Sequence, residues 1–190
     1  MGKAFEITDQ RTMIPMNVIY ENEWKKLGLN VKGYITINRG ADQMRKGMEQ
    51  LKLWPEEYYE EFIKLWKAQY PKIPIIQLGD SGCEALPGVG RAVLGQSLEL
   101  TKWIIKNSFC HIDCEGGLVH LATQLGTKCI VLFGPTPVHM YGYEQNVNLV
   151  SSPCNNCMGL HDEWAYRCYR KDQKYKCMGS IVPQTVISAI

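Results

Sequence analysis

The stretch FCHIDCEGGLVHLATQLGTKCIVLFGPT, residues 109–136, combines a strand, a glycine turn, a helix and a second strand. An apolar run at 109–113 ends in polar residues, as a buried parallel strand does at the edge of its sheet. Apolar residues recur at helical spacing over 118–125, and Gly126 follows where a helix end favours glycine. Residues 129–133 are almost wholly apolar and predict the next central strand. The order strand, helix, strand predicts a right-handed crossover and therefore a parallel sheet.

The turn between the first strand and the helix is the leading candidate for a ligand site. Ligands of open parallel sheets lie beyond the carboxyl ends of the strands, where a helix start offers free N–H groups. Gly116 and Gly117 would let a diphosphate approach those groups, and Glu115 suits the neighbouring sugar or ribose hydroxyls. His120, in the first helical turn, would reach the same ligand. The alternatives are that Glu115 only complements the helix dipole and that His120 is structural.

Composition places the chain among ordinary globular proteins. It has 190 residues, of which 45% are hydrophobic and 21% charged, enough for one substantial domain. A net charge of +2 argues against broad nucleic-acid binding. No apolar run is long enough to span a bilayer, and residues 1–10 lack the apolar segment of a signal peptide. We therefore expect a cytoplasmic protein without a transmembrane segment.

The sequence before residue 109 predicts a lead-in segment and then further strands of the same sheet. Residues 1–32 form the lead-in, with a helix over about 18–27, and GYITIN at 33–38 predicts the first strand. The loop 39–52 is basic and would neutralise a diphosphate, or is simply a solvated charge run; its cations are Arg39, Arg45, Lys46 and Lys52.

Further elements follow from capping and periodicity. A helix begins at Pro55, and its aromatic stripe at 59–70 is core. Residues 73–78 predict a strand, and the glycine-rich loop 79–90, with Asp80 and Glu84, is a second candidate wall for a ligand. Ser97 caps a helix that reaches about residue 107, and Pro183 opens a final amphipathic helix.

Four cysteines form the second group of candidate site residues. Two residues separate the first pair, ten residues precede the third cysteine, and eight more precede the fourth, in the order Cys154, Cys157, Cys168 and Cys177. Four thiolates at this spacing suit a tetrahedral structural zinc ion, with free thiols as the alternative. Disulfides are disfavoured in the cytoplasm. Zinc would stabilise the segment 151–180, which is rich in aromatic residues and poor in aliphatic ones.

Several motifs together resemble those of family 9 glycosyltransferases, which include the bacterial heptosyltransferases. The chain carries, in the family's order, KLWP at 52–55, IQLG at 76–79, GQSL at 95–98, EGGLVHLA at 115–122 and LFGPT at 132–136. The resemblance runs from about residue 33 to the end of the chain. It implies a Rossmann-like parallel sheet with flanking helices, similar to the C-terminal domain of the family's two-domain GT-B fold. Residues 33–190 would then be one nucleotide-sugar-binding domain that includes the cysteine-rich segment.

The resemblance also implies a ligand and the residues that hold it. The ligand would be a nucleotide-sugar donor, typically ADP-heptose, with no catalytic cofactor. The contacts implied are Lys52 to the diphosphate, Glu115 to the sugar, and Gly116, Gly117, His120, Gly134 and Thr136 around them. Many members carry Asp-Ser-Gly or Asp-Thr-Gly where this chain has Glu115-Gly116-Gly117, so the donor sugar is open. The nearby Asp113 is an alternative acid.

The remaining implications concern the partner half of such an enzyme. In the family, an N-terminal domain binds the lipopolysaccharide core acceptor and supplies the catalytic aspartate for inverting transfer. The residues before Gly33 are too few to form that domain, so we expect the chain alone to be inactive. The acceptor implies peripheral contact with the inner membrane. Two other functional hypotheses remain. One is a non-catalytic nucleotide-binding module. The other is a zinc-ribbon interaction module in 151–180, whose interleaved basic and aromatic residues would bind nucleic acid.

Overall fold

The computed structural model describes residues 20–26, 33–40, 50–170 and 176–190. The helices are α1 (Tyr20–Lys26), α2 (Glu56–Gln69), α3 (Leu98–Lys106), α4 (Gly117–Gln124), α5 (Val138–Tyr141), α6 (Lys176–Gly179) and α7 (Pro183–Ser188). The strands are β1 (Ile35–Asn38), β2 (Ile75–Gly79), β3 (Arg91–Leu94), β4 (His111–Cys114), β5 (Cys129–Phe133) and β6 (Val147–Val150).

The strands form one parallel sheet in the order β3-β2-β1-β4-β5-β6. The chain winds outward from β1 in one direction, then returns to the centre and winds outward from β4 in the other. The crevice between the carboxyl ends of β1 and β4 is therefore the topological switch point, where ligands of such sheets bind. The predicted parallel sheet with flanking helices is confirmed.

Two apolar layers cover the sheet, one on each face. On one face, α2 and α7 pack together over Ile37, Ile75 and Ile112. On the other face, α1, α3 and α4 cover Tyr34, Leu78 and Val131, among other residues. The central strands β1, β2, β4 and β5 are buried on both faces, which explains why their sequences are largely apolar.

The structure confirms the predicted cap of α3 and the predicted helix in the lead-in segment. Ser97 caps α3, because its Oγ accepts a hydrogen bond from the Leu100 N–H at 3.2 Å. The lead-in segment contains α1, which packs against α3 and places Trp24 5.3 Å from Tyr34, measured between ring centroids. Arg45 and Lys46 lie outside the described residues.

The predicted inward face of α4 was partly wrong. The buried residues of this helix are Val119, Ala122 and Thr123, whereas Leu118 and Leu121 are only half-buried. The Thr123 hydroxyl is satisfied within the helix, because it donates to the Val119 carbonyl at 2.8 Å. The two leucines line the cavity described next and also contact the apolar layer on this face of the sheet.

Candidate functional site

A cavity of about 640 Å³ lies at the switch point of the sheet. It is bounded by the carboxyl ends of β1, β2 and β4 and by the first turns of α3 and α4. Its lining consists of Asn38, Gly40, Lys52, Gly79, Asp80, Cys83, Gln96, Leu98, Thr101, Asp113, Glu115, Gly116, Gly117, Leu118 and Leu121. Four of the predicted site residues, Lys52, Glu115, Gly116 and Gly117, come together here although 62 residues of sequence separate the first from the second.

The glycine turn leaves the start of α4 open to the cavity. Among the described residues no side chain caps this helix, and Gly116 precedes it in an extended conformation. A Cβ placed on Gly117 would meet no atom of the described residues within 4 Å, and one on Gly116 would make only ordinary contact with the Cys114 carbonyl at 3.7 Å. The fold itself therefore does not need glycine at these two positions. The empty space suits an anion that approaches the first N–H groups of the helix closely.

Glu115 stands beside those N–H groups and is almost fully buried. Its backbone N–H donates to the Leu132 carbonyl at 3.2 Å, which fixes the turn to β5. Its Oε1 lies 3.7 Å from His120 Nε2, and His120 Nδ1 lies 2.9 Å from the Tyr143 hydroxyl. A hydroxyl that donates to Nδ1 leaves the proton on Nε2, facing the carboxylate. His120 is thus placed to orient Glu115, although it is not part of the cavity lining.

Asn38 and Asp113 form a buried polar pair where β1 and β4 end. Asn38 Nδ2 donates to Asp113 Oδ2 at 3.0 Å, and His111 Nε2 lies 3.5 Å from the same oxygen. Burial raises the pKa of the Asp113 carboxyl, while His111, Asn38 and the more distant charge of Lys52 oppose the rise. Both residues also line the cavity, so this buried pair is a candidate part of the ligand site.

Lys52 supplies the cavity with a positive charge. Among the described residues no carboxylate pairs with its ammonium group, so the charge is available to a ligand. Arg39, the other described cation of the basic loop, pairs instead with Glu56 at 2.9 Å. Because Glu56 is the first residue of α2, this ion pair also fixes the segment that follows Lys52.

Gly134 and Thr136 lie outside the cavity lining. A Cβ on Gly134 would collide with the Sδ atom of Met178, a fully buried residue, so packing accounts for this glycine. The Thr136 hydroxyl is buried and has no hydrogen-bond partner in the described part of the chain. The structure thus gives these two residues a place in the fold after β5 and no contact with the cavity.

The four cysteines of the second group lie near one another, and none of them forms a disulfide within the described residues. Burial raises the pKa of Cys157, and the nearby thiols of Cys154 and Cys168 raise it further. Burial and the same neighbours raise the pKa of Cys177 to about 11. Even so, no group of three or more His, Cys, Asp or Glu side chains within the described residues has the geometry of a formed metal site. The cysteine segment also contacts the chain beside Lys52, because the Leu51 N–H donates to the Ala165 carbonyl at 2.8 Å.

Sequence reasoning missed several residues of the cavity. Asn38 was not predicted as a site residue, although a polar residue at the end of a predicted strand is a usable signal. Gln96 and Leu98 belong to the GQSL motif and Thr101 to the helix predicted after Ser97, but no local feature of the sequence assigns these three residues to a ligand site. The predicted second wall at 79–90 does contribute Gly79, Asp80 and Cys83, while Glu84 holds the loop by accepting a hydrogen bond at its carbonyl from Gln77.

The fold and cavity together define a Rossmann-like domain with its ligand site at the switch point. No protein-family model matches the chain, and no curated protein matches it. Solved structures do match. Escherichia coli heptosyltransferase WaaC with ADP is 17% identical, with a TM-score of 0.60 over 84% of this chain and 44% of that chain. A glycosyl transferase of family 9 from Veillonella parvula is 16% identical, with a TM-score of 0.68 over 97% of this chain and 54% of that chain.

A third match is the dodecameric, iron-containing glycosyltransferase TibC of enterotoxigenic E. coli, 16% identical with a TM-score of 0.68 over 84% of this chain and 45% of that chain. TibC has also been solved in complex with ADP-D-β-D-heptose. The present chain therefore has the fold of one half of the GT-B heptosyltransferases, and it spans about half the length of those proteins. No helix in the described part of the chain is long and apolar enough to cross a membrane.

Proposed function

We propose that this chain is the donor-binding half of an inverting glycosyltransferase, and that the donor is a nucleotide sugar such as ADP-heptose. The observation that carries the proposal is the cavity at the switch point. Its lining combines an ammonium group and backbone N–H groups with several carboxylates and an amide oxygen. Lys52 and the open start of α4 suit a diphosphate, and Glu115 suits the hydroxyls beside it. The half-buried leucines of the lining offer an apolar surface for a base.

The chemistry assigned to this half is stabilisation of the leaving group. Inverting transfer releases a nucleoside diphosphate, on which negative charge develops as the sugar departs. The Lys52 ammonium and the first N–H groups of α4 would stabilise that charge. A base that deprotonates the acceptor hydroxyl is also needed, and we assign it to a second domain, which would bind a lipopolysaccharide core acceptor at the cytoplasmic face of the inner membrane. WaaC was solved with ADP and TibC with ADP-heptose, which supports this choice of donor.

Calorimetric titration with ADP-heptose, ADP, UDP and UDP-glucose at one salt concentration tests the proposal. We expect ADP-heptose to bind more tightly than ADP, and both adenine ligands to bind more tightly than the uridine ones. Equal affinity for ADP and ADP-heptose would favour a nucleotide-binding module that does not recognise the sugar. Absence of binding to all four ligands would contradict a donor site in this cavity.

We also propose that Cys154, Cys157, Cys168 and Cys177 hold a structural metal ion. The spacing of the four cysteines in the sequence supports this proposal, because thiolates are ligands for zinc and for iron. The iron-containing TibC provides a precedent with the same fold. The metal would stabilise the segment that contacts Leu51, next to Lys52. Elemental analysis of protein purified without added metal should give about one ion per chain, and Cys154→Ser should lower that value; a wild-type value near zero would refute the metal.

A further inference from the structure

The floor of the cavity contains an amide oxygen that the fold leaves without a partner. Asn38 Nδ2 donates one hydrogen bond to Asp113 Oδ2 and another to the Gly40 carbonyl, each at 3.0 Å. Both partners accept from Nδ2, and this fixes which end of the amide is nitrogen. The Oδ1 atom is therefore an acceptor of known orientation, and it is buried without a hydrogen-bond partner among the described residues.

An orphaned acceptor of this kind is uncommon in a folded protein, because burial removes its water without replacing the lost hydrogen bond. Asn38 is only 7% exposed, and the residue lines the cavity. Gly40 keeps the oxygen open, since a Cβ at that position would lie 3.3 Å from Oδ1. The amide is thus held in a fixed orientation by two hydrogen bonds, in a residue that lines the cavity.

Asp113 fixes the orientation of this amide. Its carboxyl is held from a second side by His111, which is fully buried and whose Nδ1 lies 3.0 Å from the Thr36 hydroxyl. The chain of contacts from Thr36 through His111 and Asp113 to Asn38 joins neighbouring strands beneath the cavity. Asp113 is therefore placed to position the Asn38 amide.

We propose that Asn38 Oδ1 is a hydroxyl-binding subsite, which accepts a hydrogen bond from the ribose or the transferred sugar of the bound donor. This inference rests on the proposed function. It assigns the floor to a hydroxyl and not to phosphate, because an amide oxygen beside a carboxyl repels phosphate oxygens. The diphosphate is left to Lys52 and the glycine turn, on a different part of the lining. The ribose and the transferred sugar both offer hydroxyl donors, so the ligands of the test must distinguish a ribose hydroxyl from a hydroxyl of the sugar.

The test is a calorimetric comparison of wild type and Asn38→Ala with ADP, 2′-deoxy-ADP, 3′-deoxy-ADP and ADP-heptose. If the subsite holds a ribose hydroxyl, wild type should bind the ligand that lacks this hydroxyl about tenfold more weakly than ADP. Asn38→Ala should bind that deoxy ligand and ADP with equal affinity. If it holds the sugar, Asn38→Ala should lose about tenfold of the affinity for ADP-heptose while its affinity for ADP is unchanged. Wild-type affinities for all four ligands in the variant would overturn the subsite.

Matched variants separate binding from folding. Asn148 in β6 is also an asparagine with a buried, unpartnered Oδ1, and it lies outside the cavity lining, so Asn148→Ala should bind every ligand as wild type does. Asn38→Val, which suits a strand, should reproduce the loss in a folded protein if Asn38→Ala is unstable. Asp113→Asn keeps an acceptor for the Asn38 amide and should retain the hydroxyl discrimination, which Asp113→Leu should lose. A wild-type protein that binds none of the ligands would overturn the proposed function and the subsite together.

Discussion

Two glycines of the sequence, Gly117 and Gly134, lie at the ends of neighbouring elements, and the structure predicts opposite consequences for their replacement by alanine. At Gly117 a Cβ would meet nothing within 4 Å. Its φ is not in the left-handed region, so alanine fits the backbone there. Alanine should stabilise the fold by about 0.4–1 kcal/mol, because it lowers the conformational entropy of the unfolded chain. The methyl group would nevertheless occupy the space through which a phosphate reaches the start of α4.

At Gly134 the same methyl group would collide with Met178, which is fully buried and cannot swing into solvent. Overpacking of this kind costs about 1–3 kcal/mol. In a domain of this size each kcal/mol lowers Tm by about 2–4 °C, so Gly134→Ala should melt about 2–12 °C below wild type. Its nucleotide affinity should stay at the wild-type level, because Gly134 does not line the cavity.

The assay is a thermal melt together with calorimetric titration of ADP for both variants. Gly117→Ala should melt at or slightly above the wild-type temperature and bind ADP at least about tenfold more weakly, since the phosphate loses its closest approach. Gly134→Ala should show the reverse pattern. Wild-type affinity in Gly117→Ala would refute the placement of the phosphate at the glycine turn. A wild-type melting temperature in Gly134→Ala would refute the packing explanation.

Three further predictions concern the cavity and its supports. Lys52→Ala should weaken ADP binding by about 10- to 100-fold at low salt, with a smaller loss at high salt, which calorimetry at two ionic strengths measures. Burial raises the pKa of the Asp113 carboxyl above its ordinary value of 3.8, so the folded state favours the protonated form. As the pH rises from about 3.8, wild type should therefore lose stability relative to Asp113→Asn, which denaturant melts at several pH values would measure. Gln77 is fully buried and holds the loop by donating to the Glu84 carbonyl and accepting from the Leu86 N–H, so Gln77→Leu should cost about 2–4 kcal/mol and open residues 79–90 to limited proteolysis.

The sheet could be predicted from the sequence where its strands are central and not where they are at the edges. The strand at 129–133 was predicted with its observed bounds, because five consecutive apolar residues flanked by turn residues leave few alternatives. The edge strands β3 and β6 were missed. Each has four residues of mixed burial, so neither carries the continuous apolar run of a central strand or a clean alternation.

The candidate site was predicted where its residues form a local motif and, at Lys52, from the resemblance to a family. Glu115, Gly116 and Gly117 are consecutive, and the turn they form is visible in the sequence. Asn38 and Asp113 are 75 residues apart, and only the pairing of β1 with β4 brings them together. The inward face of α4 was misjudged for a related reason, since hydrophobic spacing alone cannot show that two of its leucines line a cavity.

The buried polar residues of the sheet show where the sequence is shaped by the fold and where it is shaped by a ligand. Gln77 and Asn38 both interrupt apolar strands and are both buried. The protein satisfies Gln77 completely, because its nitrogen and its oxygen each have a backbone partner in the loop 79–90. It satisfies only the nitrogen of Asn38 and leaves the oxygen at the cavity. A group that costs stability in the empty protein and is compensated only when a ligand binds is typical of a recognition site, and this difference between two similar amides is the strongest reason to place ligand selection at the floor of the cavity.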